Sequence, residues 1–344
     1  MQYATTRSND ISYDWLRALS ETKAEDGGFY IPAEISAFTA DQIAGLSMKN
    51  PNQALAETLN LFFGCDLTRW DVDFAVGRYP VRLSSMVRRI TIAEGWHNAD
   101  WKFSRTVRDL AALVRGTRDN RLPVGDWFEI AVRIGVLFGV FGELMRDGIA
   151  DAGKTVDIAV PSGNLRAVMA AWYARNLGLP IGDIIICCNE NNNLWNLIRQ
   201  GELRHIIALK ETSTPECDHL IPEDMERLIH ACGGSLEVCR FLEAVDAGKG
   251  YYPDQGTLTQ LQKGIFISVV GQQRMEATIP TIYKNHGYVF GPYSALCYAG
   301  LTDYRSGTGS SSHALIISDR GALCDDRFVA GQMGISVQKL HNIL

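Results

Sequence analysis

The feature that most constrains this chain is a strand–turn–helix–strand run in its middle. Val156–Val160 (VDIAV) is a strand candidate that stops at Pro161-Ser162-Gly163-Asn164. Leu165–Leu177 then reads as a helix, with Gly178 as its stop and Pro180 beyond. Asp183–Cys188 (DIIICC) is a second, almost wholly apolar strand. A βαβ unit with strands this apolar requires a parallel sheet covered by helices on both faces. Gly264–Val270 and Ala314–Ser318 add strand signals, and Met275–Asn285 and Tyr293–Tyr304 add helices. The fold class is therefore α/β.

Upstream, Ile11, Trp15 and Leu19 lie on one face of a helix over Asn9–Leu19. Asp26-Gly27-Gly28 turns into the short apolar segment Phe29-Tyr30-Ile31, closed by Pro32. Thr39 opens another helix, with Asp41 and Gln42 behind it, and a further helix fits Asn52–Phe63. Ser306–Ser312 (SGTGSSS) reads as a flexible loop.

Composition narrows the function classes. The chain has 344 residues, 46% of them hydrophobic, so it can bury a large core. Thirty-three basic residues against 39 acids give a net charge of −6, which is not the basic footprint of a nucleic-acid binder. The most apolar stretch, Ile130–Phe141, holds Arg133 and is too short to span a bilayer, so it reads as a buried helix. MQYATTRSND has no apolar signal core, and the eight scattered cysteines suit reduced thiols. The expectation is a cytoplasmic protein without membrane or nucleic-acid partners.

Several constellations could carry chemistry. Ser162-Gly163-Asn164 sits where a strand meets a helix N-terminus, a natural anion site; equally, Ser162 or Asn164 simply caps the helix. Asn189 opens a polar segment at a strand end, the ligand edge of open α/β sheets, and also fits a plain turn. His97 and Asp100 could pair as acid and base near Lys102, against the alternative of a polar loop before a helix. Cys217-x-His219 and His230-x-Cys232 offer soft ligands, but not at structural zinc spacing; Thr214–Gly234 reads as a surface loop and helix, and no metal is expected. Trp96, Trp101 and Trp127 read as core residues.

The stretch VPSGNLRAVMAAWYARNLGLPIGDIIICCNENNNL resembles the threonine synthase segment VPSGNFGN, helix, GLP, strand, TNEND. DGGFYIPAEISAFTADQIAGL is similar to that family's GGLYVPE region, and GYVFGPYSALCYAGL to its GYILDPHTAVGYAAL. The order is conserved along most of the chain. The resemblance implies the large domain of the fold-type II proteins that use pyridoxal phosphate (PLP), with a parallel-rich central sheet flanked by helices. In that family the SGNFGN loop holds the PLP phosphate.

The departures are as informative. The family's HGPTLAFKD, whose lysine forms the Schiff base, corresponds to His97–Arg105. Without gaps Ser104 falls on the lysine, a register favoured by Leu110 and Ala111; a two-residue gap would put Lys102 there. A serine cannot supply the amine. The family's TSGDTG and NSIN segments have no counterpart, so the smaller domain reads as largely deleted. That leaves residues 1–115 as an N-terminal helical part with the lysine-region remnant, and 125–344 as the α/β core. Arg166 replaces the second glycine of the phosphate loop, either adding a cationic anchor or filling the phosphate space. Ser318 matches the hydroxyl that faces the pyridine nitrogen.

The expectation that follows is a divergent, PLP-independent enzyme that does not make threonine. It would act on a small anionic or amino-acid-like metabolite, as a possible homodimer in amino-acid metabolism. Ser162, Gly163, Asn164, Arg166, Asn189 and Ser318 would bind, with His97, Asp100, Lys102 and Ser104 for catalysis. No cofactor is expected. Two alternatives remain open: a PLP lyase using Lys102, or a non-catalytic pseudoenzyme that binds a metabolite or partner.

Overall fold

The computed structural model describes residues 1–8, 11–77, 81–86, 89–95, 103–205 and 208–344. Its central sheet has six strands: β3 (Arg82–Met86), β4 (Ile90–Glu94), β5 (Val156–Pro161), β6 (Ile181–Cys188), β7 (Ile265–Val269) and β8 (His313–Ser318). Their spatial order is β3-β4-β8-β5-β6-β7. Only the edge strand β3 is antiparallel to its neighbour; every other pairing is parallel. A separate two-stranded ribbon joins β1 (Tyr3–Thr5) to β2 (Tyr30–Pro32).

Alternation along the strands splits the core into two layers. Ile184, Ile186 and Cys188 of β6 face one side, with the helices Pro51–Phe63, Asp126–Arg146 and Leu165–Asn176. Ile185 and Cys187 face the other, with Gln272–His286 and Pro292–Thr308. Successive side chains of a strand point to opposite faces, so a strand buried on both sides is mostly apolar; the buried Asp157 of β5 accepts the Asp183 N–H at 2.9 Å. Helix Asp126–Arg146 contains the Ile130–Phe141 run. Trp127 and Phe128 are fully buried at its start, and Tyr3, Phe62 and Tyr173 each meet the Trp127 ring edge-on.

Two expectations shift. The helix expected over Asn9–Leu19 is Trp15–Ser20, because Tyr13 pairs with Tyr3 as extended chain and Asp14 accepts the Arg17 N–H as cap; its first two expected residues lie outside the described chain. Ser306–Thr308 finish the helix Pro292–Thr308, and left-handed Gly309 ends it, so the loop begins later than SGTGSSS suggests. The stop at Gly178 holds: its φ of 110° suits glycine.

His313 starts β8 with its Nε2 2.8 Å from Thr91 Oγ1. Burial, then Arg305 and Arg89, hold its pKa below the usual histidine value. The unfolded chain protonates near pH 6.5 while the folded one resists. This contribution to stability is therefore complete above about pH 6.5 and lost as pH falls below it. Urea midpoints should decline less steeply between about pH 6.5 and 5 in His313→Gln than in the parent; identical slopes would refute the assignment.

Candidate functional site

The C-terminal ends of the parallel strands bring Gly95, Ser162–Asn164, Asn189–Asn191 and Ser318–Arg320 to one edge, where ligands bind in open α/β sheets. A cleft of about 300 Å³ opens there, lined by Gly163, Asn164, Arg166 and Arg320 together with Glu129 and Arg133 of the long helix.

The loop after β5 is held from within. Ser162 N donates to Cys187 O at 2.9 Å, and Asn164 N to Pro161 O at 2.9 Å. Asn164 Oδ1 caps the following helix by accepting the Ala167 N–H, while its Nδ2 donates to Asp319 Oδ2 at 2.9 Å. The Gly163 N–H and the Ser162 hydroxyl both favour the Cys217 thiolate, and Ser162 favours that of Cys188 as well. Burial pushes the Cys217 thiol up to about 12, with those two donors pulling the other way.

Cys217 belongs to Thr214–Cys217, a strap that lies directly on the loop. A Cβ placed on Gly163 would overlap the Glu216 carbonyl and stand 2.9 Å from the Cys217 nitrogen, so only glycine fits beneath. The strap is pinned from three sides. Asn189 Nδ2 reaches Thr214 Oγ1 at 3.0 Å and Asp218 Oδ1 at 2.7 Å, Arg320 donates to Glu216 Oε1 at 2.9 Å, and Glu216 N donates to Tyr293 Oη at 3.2 Å. The surface loop expected here is thus partly a buried cap: the Cys217 thiol packs inside, and the polar groups around Asn189 tolerate burial because they hydrogen-bond to one another. Asn189 spends its amide on that cluster.

Arg166 is not a free cation. Its guanidinium meets Glu129 at 2.8 Å, Asp224 at 3.1 Å, Glu223 at 3.1 Å and Asp126 at 3.2 Å. Asp224 also pairs with Arg227, which is fully buried, stacks 4.4 Å from the Phe29 ring centroid, and has no described partner for Nε or one terminal nitrogen. Five carboxylates and three guanidiniums line the cleft, so its field favours a cation or a zwitterion over a bare anion.

The remaining expected residues are dispersed. Ser318 is buried, its Oγ 2.8 Å from Ser294 Oγ. Ser104 is exposed on the helix Phe103–Val114, in a separate groove with Arg108, Arg121 and Asp126. His97, Asp100 and Lys102 lie outside the described residues, as do Trp96 and Trp101. No group of three possible metal ligands gathers among the described residues. Arg133, which was read only as a charge interrupting an apolar helix, is central. It donates to Asp319 Oδ2 at 2.7 Å, approaches Glu129 at 3.2 Å, and lies 4.1 Å over the Phe103 ring. A lone cation in an apolar run was its sequence signal.

Residues 2–77 match the family model described as threonine synthase N terminus. Threonine synthase-like 1 of Homo sapiens is 24% identical over 176 residues, covering 50% of this chain and 23% of its own. Threonine synthase of Pseudomonas aeruginosa is 26% identical over 187 residues, covering 54% and 38%. The matched region thus spans well under half of either relative's length. In fold, the chain is similar to PLP-bound threonine synthase from Brucella melitensis, with a TM-score of 0.85, 19% identity, and 97% and 92% of the two chains covered. Yeast threonine synthase gives 0.84 at 17% identity, covering 98% and 91%.

Proposed function

We propose that this chain, a member of the threonine synthase-like family of fold-type II PLP proteins, works without PLP, does not make threonine, and receives a small zwitterionic, amino-acid-like molecule in its cleft. The observation that carries this reading is the strapped loop. A phosphate needs several converging donors and a positive field. Here the Glu216 carbonyl oxygen covers Gly163, and Arg166 is surrounded by four carboxylates. These residues do not fit the phosphate of PLP. A carbonyl and a ring of carboxylates would repel it. A zwitterion suits a cleft lined by both signs of charge, because each end finds a partner.

The expected result is a protein with no absorbance band of bound PLP, which takes up no PLP on dialysis against it. Stoichiometric uptake abolished by Lys102→Ala would overturn the reading and install the lyase alternative. One observation favours a non-catalytic version of the same cleft: Ser104 is exposed and hydrogen-bonded to no described base. Turnover of an amino acid that is lost in Ser104→Ala or His97→Ala would remove that version.

A further inference from the structure

Behind the Arg133–Asp319 pair lies a second, apolar cavity. Helix Asp126–Arg146 lines it with Val136, Leu137 and Val140, helix Leu165–Asn176 with three alanines, and the sheet with Ile158 and Ile317. The alanines Ala167, Ala170 and Ala171 leave the gap between the helix and the strands. Arg133 and Asp319 line both this cavity and the larger cleft, so the two spaces share a charged mouth.

We infer that this cavity is the side-chain pocket of the cleft, and that its ligand is an α-amino acid with a short aliphatic side chain. This deepens the zwitterion reading and rests on it. The ligand's carboxylate takes the Arg133 guanidinium and its ammonium takes Asp319. One ion pair within the protein is exchanged for two across the interface, and no charge is left unpaired. An acid without the amine would strand Asp319, and an amine without the acid would weaken the hold on Arg133. That asymmetry selects the zwitterion. Phe103 and Glu129 keep the guanidinium in place when Asp319 turns to the ligand.

The cavity's volume of about 40 Å³ sets the side chain. A single water needs roughly 10–15 Å³ by the same measure, so three or four heavy atoms fill it. Each methylene that fits should tighten binding roughly three- to fourfold. An aromatic ring is too large for it.

Calorimetric titration of the intact chain with glycine, alanine, 2-aminobutyrate, valine, leucine and phenylalanine tests this, with isovalerate and isobutylamine as single-charge probes. The expected order peaks at valine or leucine, with both single-charge probes at least tenfold weaker. Asp319→Asn should weaken valine about tenfold. Ile317→Ala, which enlarges the cavity, should move the preference toward phenylalanine. Equal binding of glycine and valine, with no shift in Ile317→Ala, overturns the pocket and leaves the zwitterionic cleft standing. No amino acid bound, with PLP also refused, overturns both the pocket and the zwitterion but not PLP independence. No amino acid bound, with PLP taken up, overturns all three.

Discussion

Replacing Asp224 with asparagine should cost about 3 kcal/mol of folding stability, the low end of what removing one partner from a buried ion pair costs. Asp224 is almost fully buried and sits between two guanidiniums, Arg166 through Oδ2 and Arg227 through Oδ1. Arg166 keeps Asp126, Glu129 and Glu223 in the variant, so it stays compensated. Arg227 does not: it is fully buried, and Asp224 is its only ion-pair partner among the described residues. Asparagine keeps the left-handed backbone at φ 64° comfortable, so the change isolates the charge. The electrostatic influence of Asp126 on Arg227 keeps the loss at the low end. With about 2 cal/mol/K of unfolding entropy per residue over 344 residues, the thermal midpoint should fall by about 4 °C. Adding Arg227→Met should recover most of it, since an apolar chain of similar length no longer needs a counter-charge and still packs on Phe29. An unchanged midpoint in the single variant, or a double variant no better than the single, would contradict this account.

The contrast between Arg166 and the strands shows what the sequence could and could not convey. The βαβ unit was readable because both its signals are local. Val156–Pro161 and Ile181–Cys188 are mostly apolar because both faces are covered, and Leu165–Asn176 ends where Gly178 reverses the chain. Strand order was not readable. Nothing local in His313–Ser318 says that it inserts between Ile90–Glu94 and Val156–Pro161. The site's long-range pairings were hidden for the same reason. Arg166 beside a helix N-terminus looks like an anion anchor until carboxylates from two distant segments, at 126 and 129 and at 223 and 224, converge on it. Arg133 was visible as an anomaly, yet its partner Asp319 is 186 residues away. Resemblance to threonine synthases carried the fold across these gaps, because relatives share long-range pairing even where site residues differ. It could not carry the site, since the strap is written in Thr214–Cys217, a stretch whose polarity alone suggests an exposed loop.

Gly163→Ala should lift that strap, and the clearest readout is the reactivity of Cys217. The added methyl has nowhere to go: it overlaps the Glu216 carbonyl, which is backbone and cannot rotate aside as a side chain would. Overpacking of this kind costs roughly 1–3 kcal/mol, less than unfolding the chain, so the cheaper response is displacement of 214–217. Cys217 is buried in the parent and its thiol is pushed up to about 12, which leaves almost no thiolate at neutral pH. Once the strap moves, that thiol approaches its ordinary value near 8.5, and its thiolate fraction at pH 8 rises by more than a hundredfold. Alkylation followed by peptide mapping, in a background where the exposed Cys239 and Cys324 are serine, should show Cys217 modified at least a hundredfold faster than in the parent. The companion variant Thr214→Val, which removes a hydroxyl that Asn189 holds, should loosen the same strap without touching the loop. If it raises Cys217 reactivity while Gly163→Ala does not, the strap is held by its polar contacts. The close seat on Gly163 would then not be what positions it.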